Sequence, residues 1–350
     1  MNCFVISPMM KFLRNLLYPI SLLYGLITNL RNYLYENGIF ESNQFDTPTI
    51  IVGNLSVGGT GKTPQIEYLI RLLKNNFKVA VLSRGYKRKS EGFMVADNTV
   101  DAEIIGDEPF QYFKKFDKII VSVDADRSNG IEQLEFLKNP PEVILLDDAF
   151  QHRKVKGGLN ILLTSYSNLY VNDFMLPTGN LRENKKGARR AEIIIVTKCP
   201  SDLSEKEQKK IIKKLRPTIY QNVFFTYIEY DTILKGDNSI NISELNNKEV
   251  ILVTGIANST HLVKHLHNEG VIFKHLEYGD HHNFTDKDLE KIKTIQSNNK
   301  VVLTTEKDYV RIFDKLKKLY YLPIETKFIN RKSDFDNIIK KYVEQSSRNS

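Results

Sequence analysis

Gly53-Asn54-Leu55-Ser56-Val57-Gly58-Gly59-Thr60-Gly61-Lys62-Thr63-Pro64 is the stretch that decides the fold. It follows a short apolar run and precedes an amphipathic stretch, so it reads as a glycine-rich turn between a strand and a helix. A bound phosphate needs backbone N–H groups at close range, a lysine that reaches the β and γ oxygens, and a hydroxyl for Mg²⁺. Gly58, Gly59 and Gly61 answer the first need, Lys62 the second and Thr63 the third. Ser56, Val57 and Thr60 complete the candidate nucleotide loop. A strict pattern places glycine where this chain has Ser56, so the loop is a variant.

Outward from the loop, apolar runs at 49–53, 78–83, 118–123, 142–146, 159–164 and 193–197 alternate with helical patterns. Runs such as Val143-Ile144-Leu145-Leu146 and Ile193-Ile194-Ile195-Val196 lack the alternation of a half-exposed strand. They predict strands covered on both faces, hence a doubly wound, mostly parallel α/β sheet of the P-loop type. The run at 142–146 delivers Asp147 and Asp148 where a phosphate-bound metal needs its acids, although two acids there could instead cap the next helix. Composition shifts after Pro200. A Lys/Glu-rich helix over 204–215, a strand over 223–230 and a polar stretch over 235–248 lead into a second, smaller α/β series with strands at 249–254, 271–276 and 300–305. The predicted division is a segment 1–35, a P-loop core 36–228 and a smaller domain 229–350, with the last dozen or so residues frayed.

Three further motifs carry ambiguous chemistry. Gly106-Asp107-Glu108-Pro109 opens a helix, where acids complement the dipole, yet Asp107 is also the residue type of an acceptor base. Leu176-Pro177-Thr178-Gly179-Asn180-Leu181-Arg182-Glu183 couples a turn to an arginine that suits a transferring phosphate, or to an ordinary Arg–Glu pair. Six of the seven histidines fall between residues 261 and 282. His261, His265 and His267 read as a solvated helix face. Asp280-His281-His282 sits between a strand and a helix, which leaves a proton-transfer role for His281 open. Thr197-Lys198-Cys199-Pro200 has the outline of a guanine-reading loop without its aspartate.

The 350 residues, 41% of them apolar, suffice for two cores and exclude a disordered tail or a disulfide-stapled miniprotein. Cys3 and Cys199, the only two cysteines, form no framework or metal spacing, which fits a reducing compartment. A net charge of +8 suits phosphate substrates, nucleic acid or an anionic membrane, and does not choose among them. The uncharged stretch from Asn15 to Leu30 is shorter than the roughly 20 residues of a spanning helix. As a helix it gathers Leu13, Leu16, Leu17, Ile20, Leu23, Tyr24, Ile27 and Leu34 opposite Arg14, Ser21, Thr28 and Asn32. Core packing, an interfacial membrane helix and a signal peptide all remain open on those residues. Met9 or Met10 could equally serve as the start.

Taken in order, Asn54–Pro64, Ser83-Arg84-Gly85-Tyr86, Gly106–Pro109, Asp147-Asp148-Ala149-Phe150-Gln151-His152, Leu176–Glu183 and Asp280-His281-His282 resemble the motif series of the tetraacyldisaccharide 4'-kinases over residues 10 to 330. That resemblance implies transfer of the ATP γ-phosphate to the 4'-hydroxyl of an acylated glucosamine disaccharide 1-phosphate at the cytoplasmic face of the inner membrane. It implies a peripheral N-terminal helix and a second domain joined by a two-stranded linker. It further implies Asp107 as the base supported by His281, Mg²⁺ among Glu108, Asp147, Asp148 and Glu183, and Arg182 facing the phosphates. Nucleic acid and an obligate protein partner are not expected. The alternatives are a P-loop ATPase switch that does not act on lipid, a basic nucleic-acid ATPase whose lysines would cluster with aromatics, and a phosphoesterase built on Asp280-His281-His282.

Overall fold

The computed structural model describes residues 14–246, 248–280, 282–296, 300–312 and 315–347. Helix α1 (Tyr18–Glu36) comes first. Strand β1 (Thr49–Asn54), the phosphate loop and helix α2 (Lys62–Leu73) follow, then β2 (Val79–Ser83) and β3 (Met94–Val95). Short α3 (Ala102–Ile105) leads into α4 (Asp107–Lys115), β4 (Ile120–Val123), α5 (Arg127–Glu135), β5 (Val143–Asp147), β6 (Leu159–Ser165) and β7 (Ile193–Thr197). Helix α6 (Glu205–Leu215), opened by a Ser204/Glu207 capping box, leads to β8 (Asn222–Tyr230). These strands build one sheet in which β8, β7, β6, β1, β5, β2 and β4 run parallel and β3 forms an antiparallel edge. Every residue of β1, β2, β5 and β7 is buried, as the unbroken apolar runs require.

The second domain comprises β9 (Ile233–Gly236), β10 (Ile240–Asn241), β11 (Val250–Thr254), α7 (Thr260–Asn268), β12 (Phe273–Glu277), α8 (Asp286–Gln296), β13 (Val301–Thr304), α9 (Glu306–Ile312) and β14 (Leu319–Tyr321). Its sheet runs β10-β9-β14-β13-β11-β12, with the four strands from β14 to β12 parallel. The polar stretch 235–248 contributes β10 and part of β9, which close the edge of this sheet against β14.

The expected domain assignment of the C-terminus is corrected. Strand β15 (Ile324–Phe328) pairs antiparallel with β8 and becomes the far edge of the first sheet. Helix α10 (Lys332–Ser347), expected to be largely frayed, packs on that sheet, with Phe335, Ile339 and Val343 at 0% exposure among Ile66, Leu69 and Phe224. Each buried side chain of this size stabilises by about 1.5–3 kcal/mol, so a helix carrying three of them stays docked. The chain therefore crosses to the small domain at Tyr230 and returns at Ile324. The Asp231 N–H donates to the Pro323 carbonyl at 3.0 Å where the two crossings meet.

Helix α1 is inside out relative to a core helix. Its polar residues Ser21, Thr28 and Asn32 are buried, while Leu23 (59%), Leu26 (66%) and Leu30 (59%) stand in solvent. Core packing of the leucine face is thereby ruled out. Among the described residues no helix is long and apolar enough to cross a membrane.

Candidate active site

The phosphate loop joins β1 to α2 at the carboxyl edge of the sheet, the edge where doubly wound folds place ligands. Gly58 at φ 106° and Gly61 at φ 85° adopt left-handed backbone that a side chain would strain, and Gly61 caps α2. The N–H groups of Lys62 and Thr63 open α2 with no carbonyl partner within their own helix, which makes this end an anion site. Asn54 Nδ2 donates to Thr60 Oγ1 at 2.7 Å and fixes the loop from below.

Ser56 in place of glycine has a structural reason. Ser56 forms an antiparallel bridge with Leu181, the Val57 N–H donates to the Asn180 carbonyl at 2.8 Å, and the Arg182 N–H donates to Leu55 at 2.7 Å. This arm of the loop is a short strand against the 180–182 segment, so extended backbone replaces the tight curl. The Val57 N–H is thereby committed to Asn180, and Gly58, Gly59 and Gly61 follow it in the loop.

Asp147 ends β5, and Asp148 turns away at φ 49°. Lys62 Nζ lies 3.7 Å from Asp148 Oδ2, and Arg182 Nη1 donates to both Asp148 oxygens at 3.1 Å. Asp147 is buried. Its Oδ2 accepts from the Tyr112 hydroxyl at 3.2 Å, while Oδ1 has no hydrogen-bond partner. Burial first, and the Asp148 charge second, raise its pKa to about 6. Asp148 is held below the usual carboxylate range despite its burial, because Lys62 and Arg182 face it. The Tyr112 hydroxyl also meets Thr63, so loop, α4 and β5 converge on one point. Buried Arg127 donates to the Asp124 and Ala125 carbonyls at 3.2 and 3.1 Å, and burial lowers its pKa to about 10.

Glu183 does not join this group. It is fully enclosed and takes Arg190 Nη1 and Nη2 at 2.8 and 2.9 Å, Gln151 Nε2 at 3.0 Å and Asn32 Nδ2 at 3.1 Å. A carboxylate saturated in this way braces its loop, whereas the resemblance implied that it holds Mg²⁺. Glu108 is likewise engaged, with Lys307 Nζ of α9 at 3.0 Å. Among the described residues no three His, Cys, Asp or Glu side chains form a metal cage.

Asp107 sits at the first turn of α4 and is ion-paired with Arg311 of the second domain. Arg311 also contacts Asp308 Oδ1 at 3.2 Å and the His282 carbonyl at 3.5 Å, which ties His282 to the helix bearing Asp107. His281 lies outside the described residues. His282 Nε2 is 2.9 Å from Asp288 Oδ2, and the imidazole stacks on Tyr278. Sequence reasoning missed Tyr112, Arg190, Arg311 and Lys307, and gave Gln151, quoted within a motif, no role of its own. Only the short spacing of Tyr112 from Asp107 and of Gln151 from Asp148 could have hinted at them.

The same 177–183 segment carries α1. Ser21 Oγ donates to Thr178 Oγ1 at 2.8 Å, Tyr24 donates to the Arg182 carbonyl at 2.9 Å, and Arg14 Nε donates to Pro177 at 3.2 Å.

The sequence model of the tetraacyldisaccharide-1-P 4'-kinases matches residues 13–344. The chain belongs to that family. The tetraacyldisaccharide 4'-kinase of Flavobacterium johnsoniae is 54% identical over 340 residues, covering 96% of this chain and 99% of the relative. That of Phocaeicola vulgatus is 44% identical, covering 95% and 96%. Among solved structures, LpxK of Aquifex aeolicus in complex with ATP superposes with a TM-score of 0.78 at 33% identity, covering 95% of this chain and 99% of that one. The kinase is therefore an ATP-dependent enzyme of lipid A biosynthesis, and the switch-ATPase reading is not favoured.

Proposed function

We propose that this kinase passes the γ-phosphate of ATP to the 4'-hydroxyl of an acylated disaccharide 1-phosphate held at a membrane surface, with the roles of its residues set by the geometry around Asp148. The single observation that carries the reading is the convergence of Lys62, Arg182 and the Asp147–Asp148 pair on the N-terminus of α2. Backbone N–H groups of the loop bind the phosphates, and Lys62 neutralises charge at the β and γ oxygens. Arg182 borders the γ position and is held there through Asp148. Asp107 takes the proton of the attacking hydroxyl once the acceptor displaces it from Arg311, and His281 supports it.

The partnerless Oδ1 of Asp147, whose other oxygen shares the Tyr112 hydroxyl with Thr63, fits Mg²⁺, which prefers one or two carboxylates plus phosphate oxygens over an all-protein cage. Asp147, Asp148 and Thr63 would hold it. The ion would draw charge from the β and γ phosphates.

A tetraacylated substrate leaves a bilayer only at a cost of about 0.8 kcal/mol per methylene, so the acceptor is met at the surface. The outward leucines of α1, with Arg14 and Arg31 at their flanks, supply that contact as an interfacial helix on the cytoplasmic face of the inner membrane. Nucleic acid has no place in this scheme, and no obligate protein partner is required. Incubation with ATP labelled at the γ-phosphate, Mg²⁺ and the disaccharide 1-phosphate in mixed micelles tests the reading. Label in the lipid supports it, and lipid-independent ATP turnover with unlabelled lipid sinks it.

A further inference from the structure

The segment 177–183 is held from two sides. On one side its backbone pairs with the phosphate loop, where the Val57 N–H donates to the Asn180 carbonyl at 2.8 Å and the Arg182 N–H donates to the Leu55 carbonyl at 2.7 Å. On the other side it receives the polar face of α1. Ser21 Oγ donates to Thr178 Oγ1 at 2.8 Å and accepts from the Thr178 N–H at 3.0 Å. The Tyr24 hydroxyl donates to the Arg182 carbonyl at 2.9 Å, and Asn32 Nδ2 donates to Glu183 Oε2 at 3.1 Å. Helix α1 thus buries Ser21, Thr28 and Asn32 and leaves its leucines in solvent, the reverse of what apolar burial alone would select.

Arg182 is where the two sides meet. Its N–H is held by the loop, its carbonyl by Tyr24, and its guanidinium by Asp148 at 3.1 Å and by Gln151 Oε1 at 3.3 Å. An arginine reaches its target over a long stem, so a small rotation of its own peptide unit moves the guanidinium much further than the backbone. A misplacement of about 1 Å at a reacting centre costs about 10²-fold in rate. We propose that α1 is a working part of the kinase centre, with Tyr24 as a positioning residue that fixes the peptide unit of Arg182 and through it the guanidinium. The inference rests on the reading that Arg182 borders the γ position, and it adds to the surface contact of the outward leucines. One helix then meets the lipid surface with one face and holds the phosphate-facing arginine with the other, so a support that locks the site is also the element that docks.

Steady-state kinetics of the full chain on the disaccharide 1-phosphate in mixed micelles, with vesicle flotation alongside, separate positioning from anchoring. Tyr24→Phe removes the hydroxyl and keeps the ring, and α1 stays docked through Ser21 and Asn32. The expected result is a kcat about three- to tenfold lower, the scale of one lost hydrogen bond felt in the transition state, with both KM values and flotation within about twofold of the parent. In an Arg182→Ala background the same substitution should change kcat by less than about twofold, because the group that it positions is gone. An unchanged kcat in the single variant, a loss confined to the lipid KM or to flotation, or a fully multiplicative loss in the Arg182→Ala background would each show that Tyr24 only anchors the helix, and would overturn the proposal. Parental kcat in Arg182→Ala alone would instead overturn the placement of Arg182 at the γ position, and this inference with it.

Discussion

Asp107 and Arg311 stand 204 residues apart in sequence and form an ion pair between the two domains. The same guanidinium reaches Asp308, which is fully buried, and the carbonyl of His282. Arg311 is therefore the joint between Asp107, the proposed acceptor base, and His282. Arg311→Ala leaves buried Asp308 Oδ1 without its cation, although Oδ2 keeps the Gly255 N–H and the Thr305 hydroxyl, and breaking a buried pair costs about 3–5 kcal/mol. Urea denaturation should show that loss, with Arg311→Lys intermediate because it keeps the charge and loses the fork. A loss below about 1 kcal/mol in the alanine variant would remove Arg311 from this role.

Lys62→Ala should lower kcat on lipid by about 10²–10³-fold, the scale of one preorganised charge at a developing transition state. Arg182 still pairs both oxygens of Asp148 when Lys62 is gone, so the thermal midpoint should hardly move. Near-parental phosphorylation of the lipid by the variant would refute the loop assignment.

The outward face of α1 can be tested apart from its inward one. Replacing Leu23, Leu26 and Leu30 together by Ser removes exposed apolar surface that touches no core. Vesicle binding in a flotation assay should fall at least about 100-fold, since each buried leucine contributes about 1.5–3 kcal/mol to insertion. ATP affinity should stay unchanged; parallel loss of both would mean that the leucines hold the fold.

Glu306 of α9 makes the domain contact pH-dependent. Its carboxylate meets Lys115 Nζ of α4 at 2.6 Å, and the same lysine meets Glu67 of α2 at 2.7 Å, with Arg71 of α2 and Tyr321 of β14 also facing it. Burial first and the Glu67 charge second push the Glu306 pKa from 4.5 up to about 7. A raised folded-state pKa binds its proton more tightly in the native form. The stabilisation is therefore complete below about 4.5 and is lost as pH rises through about 7, by an amount of order 1–3 kcal/mol. Guanidinium melts between pH 5 and 8 should show stability falling with pH, and Glu306→Gln should flatten that slope. A slope of opposite sign would contradict the burial argument.

Helix α10 is integral to the nucleotide domain. Phe335→Ala should cost about 3–5 kcal/mol, and removal of residues 332–350 should abolish the cooperative unfolding of the first sheet. A truncated chain that still unfolds in one sharp transition at the parental midpoint would show that the tail is dispensable.

The local order of chemistry was legible in the residues themselves: a strand, a glycine loop, Lys62 and Thr63 on a helix, and acids at the end of an apolar run. Such features are set by neighbours in the chain, through backbone sterics, helix N-terminal N–H groups and the period of apolar residues. Fold class and the nucleotide half of the site followed from them. Pairings across long separations did not follow. Glu183, beside Arg182 in sequence, is claimed by Arg190, Gln151 and Asn32, and Asp107 is claimed by Arg311. Which partner satisfies a buried charge depends on what packing brings within about 3 Å, and no spacing rule encodes that. The return of β15 and α10 to the first sheet was hidden for the same reason, because an edge strand is placed by the partner it pairs with. The direction of α1 was the last such decision: its amphipathic pattern allowed either face to turn inward, and hydrogen bonds from Ser21, Tyr24 and Asn32 to residues 178–183 turned the leucines out.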